Sequence, residues 1–280
     1  MSLAMFTLEG DDLVPTEIAR SMWSHDQMHG VAVSGALARA LELRLAALGR
    51  DDLQPSRYTV DLFQPAKMAP CTVRTEIVRE GRRICLIDAF LLQDGATVAR
   101  ASCIFLLPTA SPSGAVWTPE DHPVPPPSDI VPPSEEARVP FFTSDAPWSQ
   151  SFFEHQNAGR KQTWQAGLPI VDGEEGTPFQ SVAAIADATS MVVNWGTEGV
   201  QFINTDITLA LARRPVGREI GLSATDRVER DGIAVGTVEV FDRAGPLGTA
   251  MVTALANASR PVNFENVDFD DDGGRHTRSD

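Results

Sequence analysis

Basic residues are scarce: 23 Lys and Arg stand against 38 Asp and Glu, a net charge of −15 on 280 residues. That balance excludes a broad basic face for a phosphate backbone, and no nucleic-acid partner is expected. Cysteine is scarce too. Cys71, Cys85 and Cys103 are odd in number, 14 and 18 residues apart, and form no C-x-x-C pair. Neither a disulfide framework nor a thiolate zinc site is expected, and the three read as small apolar strand residues. No apolar run approaches the ~18 residues of a membrane-spanning helix, and the first twelve residues lack the basic-then-apolar layout of a secretion signal. The expectation is a cytoplasmic chain without a membrane span. Ser34 has Ala32 and Ala36 where a nucleophile elbow needs glycines, and no G-x-x-x-x-G-K occurs. Serine-esterase and nucleoside-triphosphatase chemistry drop out.

What is present is a globular composition, 42% hydrophobic and 22% charged, long enough for one large domain or two smaller ones. Eleven of the twenty prolines fall between Pro108 and Pro147. Proline lacks an amide donor and fixes φ, so residues 108–150 read as an extended connector between an N-terminal unit (1–107) and a C-terminal unit (151–262). Beyond them, residues 263–280 carry Asp268, Asp270, Asp271 and Asp272 followed by Gly273 and Gly274, expected to be an unstructured acidic tail. The Asp268–Gly273 stretch mimics the opening of a calcium loop, but Ser279 stands where the bidentate glutamate belongs.

The two units repeat each other at an offset near 150 residues. Asp61-Leu62-Phe63-Gln64-Pro65 precedes three strand-like runs (71–79, 83–92 and 97–107), and a run ending at Pro215 precedes three more. Arg79-Glu80-Gly81 matches Arg230-Asp231-Gly232, and Gly95 matches Gly245. Val, Ile, Thr, Phe and Leu in partial alternation, broken by Glu-Gly and Asp-Gly turns, predict antiparallel hairpins. Upstream, Gly30–Leu48 is proline-free and crowded with Ala and Leu, with Gly49 as a stop, which predicts a helix. Its small side chains on nearly every face predict burial on most sides. In the second unit Thr177-Pro178 opens a helix running to Asn194. A long helix followed by antiparallel strands, given twice, is solved by a curved sheet wrapped around a buried helix. The fold class is therefore α+β, two tandem hotdog units (a double hotdog), with sheets placed edge to edge to hide their open strands.

These motifs in this order resemble the double-hotdog thioesterase-like proteins related to the bacterial acyl-CoA thioesterase II family, over most of residues 10–260. The resemblance is carried by His29-Gly30, Asp61 to Pro65 and Arg79-Glu80-Gly81-Arg82 in the first unit. In the second it rests on Val171-Asp172-Gly173-Glu174, Ala186-Asp187-Ala188 and Asn204-Thr205-Asp206-Ile207-Thr208-Leu209. In that family an aspartate, a threonine or serine, and a glutamine hold the water that attacks the thioester. The resemblance implies Asp187 as base, with Asn204 and Thr253 at the two orienting positions. It also implies a helix tip at Gly30-Val31, with His29 beside it, facing the substrate carbonyl. The implied substrate is an acyl-CoA, with no cofactor and no metal, and the family's pairing through sheet edges implies a homodimer.

A carboxylate suits a proton acceptor, and hydroxyl or amide groups suit the aiming of a water. Asn204 and Thr253 differ from the family's residues, so a non-catalytic acyl-thioester binding protein stands as the alternative. A hotdog hydratase would need His29 paired with an acid, Asp26 being the nearest in sequence. His25 and His29 stand at zinc-protease spacing, but His122, His155 and His276 offer no recognisable third ligand. Arg79, Arg82, Arg83, Arg213, Arg214 and Arg218 could meet coenzyme A phosphates, though turn arginines are usually only solvated.

Overall fold

The computed structural model describes residues 3–134 and 136–265, and the backbone of 267–269 and 275–277. A hairpin, β1 (Phe6–Glu9) and β2 (Asp12–Pro15), leads to α1 (Gly30–Ala47), then β3 (Gln54–Asp61), β4 (Thr72–Glu80), β5 (Ile84–Gln93) and β6 (Ala96–Leu106). The connector follows, then β7 (Phe141–Thr143), α2 (Phe152–His155) and β8 (Gln162–Ala166). The second helical stretch is α3 (Pro178–Ile185), a tighter turn at Ala186–Ala188, and α4 (Thr189–Asn194). Strands complete the chain: β9 (Trp195–Gly196), β10 (Gly199–Val200), β11 (Phe202–Asn204), β12 (Asp206–Leu211), β13 (Glu219–Arg230), β14 (Ile233–Asp242), β15 (Gly245–Ala256), β16 (Val267–Phe269) and β17 (Arg275–Thr277).

Helix α1 forms where its composition predicts. Seven consecutive residues, Ala32 to Ala38, are buried, and Gly49 just beyond the helix takes φ +67°, the left-handed conformation that lets the chain turn away. Gly35 permits a close approach of the second unit, since a Cβ there would lie 2.4 Å from Ile170. The predicted single helix 178–194 is instead broken at 186–188, where three residues wind as a 3₁₀ turn. Such a mid-helix tightening re-aims the side chains it carries, and Asp187 is one of them.

The sheets of the two units join into one, in the order β4-β5-β6-β3-β12-β15-β14-β13-β8-β7, with β11 beside β15. The seam is the antiparallel β3–β12 pair, which sets Asp61 opposite Asp206 and Val60 opposite Ile207. Helix α1 lies on β4, β5 and β6, α4 lies on β13, β14 and β15, and α1 packs against α3. Cys71, Cys85 and Cys103 are free and buried in this core.

Two boundaries differ from the sequence reading. The connector is not uniformly extended coil, because its end supplies β7, held by an aromatic cluster of Phe142, Phe152 and Trp195. Within the acidic tail, β16 and β17 pair as an antiparallel ladder, while Asp270–Gly274 and the last three residues lie outside the described residues. At the start of β13, beside β8 and away from the seam, Arg138 of the connector and Arg243 both pair with the buried Glu219.

Candidate active site

Asp187 reaches the head of α1 from the opposite unit. Its Oδ1 accepts a hydrogen bond from Asn204 Nδ2 at 2.9 Å, and the carboxylate also takes the Val31 amide. A Cβ on Gly30 would stand 2.1 Å from Oδ1, so only glycine can begin a helix against this carboxylate. Burial pushes its pKa up to about 6, although the Asn204 and Val31 hydrogen bonds favour the charged form. A group with that pKa is mostly ionised at neutral pH yet is basic enough to take a proton. The positive end of the α1 dipole lies at the same spot.

His29 has a different task. Its Nδ1 accepts from the Ala32 amide at 3.0 Å, and its Nε2 lies 2.8 Å from the Ile18 carbonyl. A ring that accepts at Nδ1 and donates at Nε2 is the neutral tautomer, and burial lowers its pKa further. His29 is thus the N-cap that fixes the helix tip. With both nitrogens engaged it has neither an acid partner nor a lone pair for a metal, and the hydratase and His25–His29 zinc readings lose their central residue. Among the described residues, no group of three His, Cys, Asp or Glu side chains converges.

Asn204 is brought to Asp187 by β11, which runs beside β15 before the chain kinks into β12. Thr205 and Asp206 hold that kink: the Thr205 amide donates to the Thr253 carbonyl, and Asp206 Oδ1 accepts from the Thr253 amide. Leu62 of the first unit donates to the Thr205 carbonyl, locking the seam beside the site. Asn-Thr-Asp is ordinary turn chemistry, and here the same run that makes the kink also delivers Asn204 to Asp187.

Thr253 is not brought to the carboxylate. Asn204 pairs with Ala254, a buried residue, whereas Thr253 pairs with Val235 and shares its face with the exposed Met251 and Leu255. Strand alternation therefore turns the Thr253 side chain to the outer face, and only its backbone supports the site. The correction is one of parity: a polar residue one place along a strand faces the wrong way.

A second carboxylate, not foreseen from the sequence, lies at the opposite end of the helix pair. Glu42 Oε2 accepts from Thr177 Oγ1 at 2.6 Å and from Gln180 Nε2 at 3.0 Å, at the head of α3. Alongside, Arg39 makes a two-armed pair with Glu174, both contacts 2.6 Å. Partners 135 and 138 residues apart leave no local pattern to read. Between the two ends Ser34 Oγ donates to the Ala183 carbonyl at 2.6 Å, and Tyr58 Oη to the Ser34 carbonyl at 2.7 Å.

Several solved structures align with this chain over most of its length. The tesB protein of Mycobacterium avium subspecies paratuberculosis aligns over 91% of this chain and 96% of its own, with 14% identity and a TM-score of 0.62. An acyl-CoA thioesterase II of Mycobacterium marinum aligns over 91% and 94%, at 15% identity and a TM-score of 0.59. A hot dog protein of Alicyclobacillus acidocaldarius aligns over 91% and 96%, at 21% identity and a TM-score of 0.59. At these identities the likeness establishes the fold. No curated protein matches the sequence significantly. Family models match both units, the acyl-CoA thioesterase N-terminal domain over residues 19–106 and the C-terminal domain over 119–255. With both domain models matched in order on one continuous double-hotdog sheet, the chain belongs to the acyl-CoA thioesterase family.

Proposed function

We propose that this protein hydrolyses an acyl-CoA thioester by direct water attack, with Asp187 as the general base and Asn204 as the group that orients it. The observation that carries this reading is the seating of a half-buried carboxylate, with its pKa raised to about 6, on the amide-rich head of a helix from the other unit. Water loses its proton to Asp187 as its oxygen bonds to the thioester carbon. The carbonyl oxygen gathers negative charge facing the leading turn of α1, whose amides and dipole stabilise it. The C–S bond then breaks, and the leaving thiolate takes up the proton that Asp187 accepted, which restores the carboxylate. No covalent enzyme intermediate is needed.

Three features support this reading over a serine or histidine mechanism: the neutral, doubly bonded His29, the absence of a glycine elbow at Ser34, and the burial of Ser34 between helices. The test is release of free thiol from a panel of acyl-CoA substrates by wild type and Asp187→Asn. Turnover in the wild type that falls at least about a hundredfold in the variant supports Asp187 as base. Equal turnover removes it.

The outward turn of Thr253 favours a second reading, a protein that binds acyl thioesters without cleaving them, because the side chain at one of the family's two orienting positions faces away from Asp187. Saturable acyl-CoA binding with no thiol release selects that reading.

A further inference from the structure

Helix α4 ends at Asn194 and Trp195 follows as its C-cap, both buried, at 8% and 4% exposure. Asn194 Oδ1 accepts from Arg227 Nε at 3.1 Å, and this fixes the amide so that Nδ2 points the other way. Among the described residues, neither Asn194 Nδ2 nor Trp195 Nε1 has an acceptor. Buried donors are almost always paired, so two adjacent exceptions mark a place where an acceptor from outside the chain belongs.

Both residues line a groove of about 590 Å³ between α4, the β9–β10 hairpin, β13 and the loop before β8. Its walls carry three cations, Arg160, Lys161 and Arg227. Lys161 is 1% exposed, and its Nζ bonds go to three neutral oxygens: Asn157 O, Asn157 Oδ1 and Gly159 O. Burial lowers its pKa to about 8, and it remains largely cationic at neutral pH. The acids of the groove, Asp226 and Glu198, are exposed, and Asp226 Oδ1 is engaged by the Arg227 amide. A β-bulge between Ala224 and Asp226 bends β13 where it borders the groove.

We infer that this groove is a binding site for an oxyanion, a phosphoryl or carboxylate group, that accepts from Asn194 Nδ2 and Trp195 Nε1 and faces the Lys161 and Arg227 cations. The group seats against the end of α4, with Arg227, exposed and lying over the Phe202 ring at 5.1 Å, as the side chain that yields to admit it. The inference is independent of the thioester reading, because binding is measured without turnover.

The test is a titration of the full-length, ¹⁵N-labelled protein with inorganic phosphate and, separately, acetate, at constant ionic strength. The indole N–H signals of the five tryptophans are followed, with Trp195 assigned by Trp195→Phe. A saturable shift of the Trp195 signal is expected. Phosphate alone saturating identifies a phosphoryl site, acetate alone a carboxylate site, and both a general oxyanion site. Asn194→Asp keeps the Arg227 partner but turns the donor into a like charge, and is expected to weaken binding about tenfold or more. No saturable shift with either anion means that water is the only acceptor and overturns the inference. Saturation that is unchanged in Asn194→Asp places binding elsewhere and overturns it equally.

Discussion

The two ends of the α1–α3 pair are built alike and diverge at one position. At each end a carboxylate from one helix meets the head of the other: Asp187 at α1, Glu42 at α3. Helix α1 begins with Gly30, and α3 begins with Pro178, which has no amide and fills the space with its ring. At the α3 end, Glu42 Oε2 is taken by a hydroxyl and a side-chain amide, and Arg39 with Glu174 close in beside it. At the α1 end the partners are the Val31 amide and Asn204, and the first helical residue carries no side chain, the His29 cap lying one residue before it. One end is a clamp and the other the proposed reaction site, and the difference lies in whether the first helical residue bears a side chain.

Gly30→Ala and Asp187→Asn erase the distinction most directly. The alanine methyl would overlap the Asp187 carboxylate, so thioesterase activity is expected to fall about 10- to 100-fold through displacement alone. Steady-state kinetics that leave kcat/KM unchanged would break the comparison. Asp187→Asn is expected to go further in rate while gaining stability. A carboxyl whose folded pKa is raised contributes stability below its unfolded value of 3.8 and loses it as pH rises through about 6. Relative to wild type, the variant should therefore be more stable by about 1–3 kcal/mol at pH 7, with the gap closing near pH 4, as read from denaturant midpoints. Wild-type kcat/KM should rise with pH around an inflexion near 6, since the protonated carboxyl cannot accept the water's proton.

The clamp predicts the opposite pattern. Glu42→Ala strips the acceptor from Thr177 and Gln180 and is expected to cost about 1–3 kcal/mol of stability, with activity changed by less than about threefold. Loss of activity greater than loss of stability explains would make Glu42 part of the chemistry. The smallest effect is expected from Thr253→Val, which alters only an outward-facing side chain: activity within about twofold of wild type, in the same thiol-release assay.

Much of this arrangement was legible in the residues. The duplication, α1 with its small-residue faces and the hairpins follow from local composition and motif order, whereas the meeting of Asp187 with Asn204 and the α1 head follows only from the family resemblance. What was hidden has physical reasons. The break in the second helix depends on tertiary packing around Ala186–Ala188, since Ala-Asp-Ala has no helix-breaking residue. The outward turn of Thr253 is a matter of strand parity, which a motif alignment does not resolve to one residue. The Glu42 clamp joins side chains 135 and 138 residues apart. Strand β7 draws its pairing from β8 and its packing from Phe152 and Trp195, so a proline-rich stretch ends inside a sheet.

The β3–β12 junction also sets a timetable for biosynthesis. Strand β3 leaves the ribosome about 145 residues before its partner exists, on the order of ten seconds at ordinary translation speeds. For that interval it is a naked sheet border on a nascent chain, open to capture by a neighbouring polypeptide. Its own composition guards it: Pro55 withholds one donor near the start, Arg57 places a charge in the middle, and Asp61 places another at the end. The residues that later join the halves thus first protect the unfinished half from aggregation.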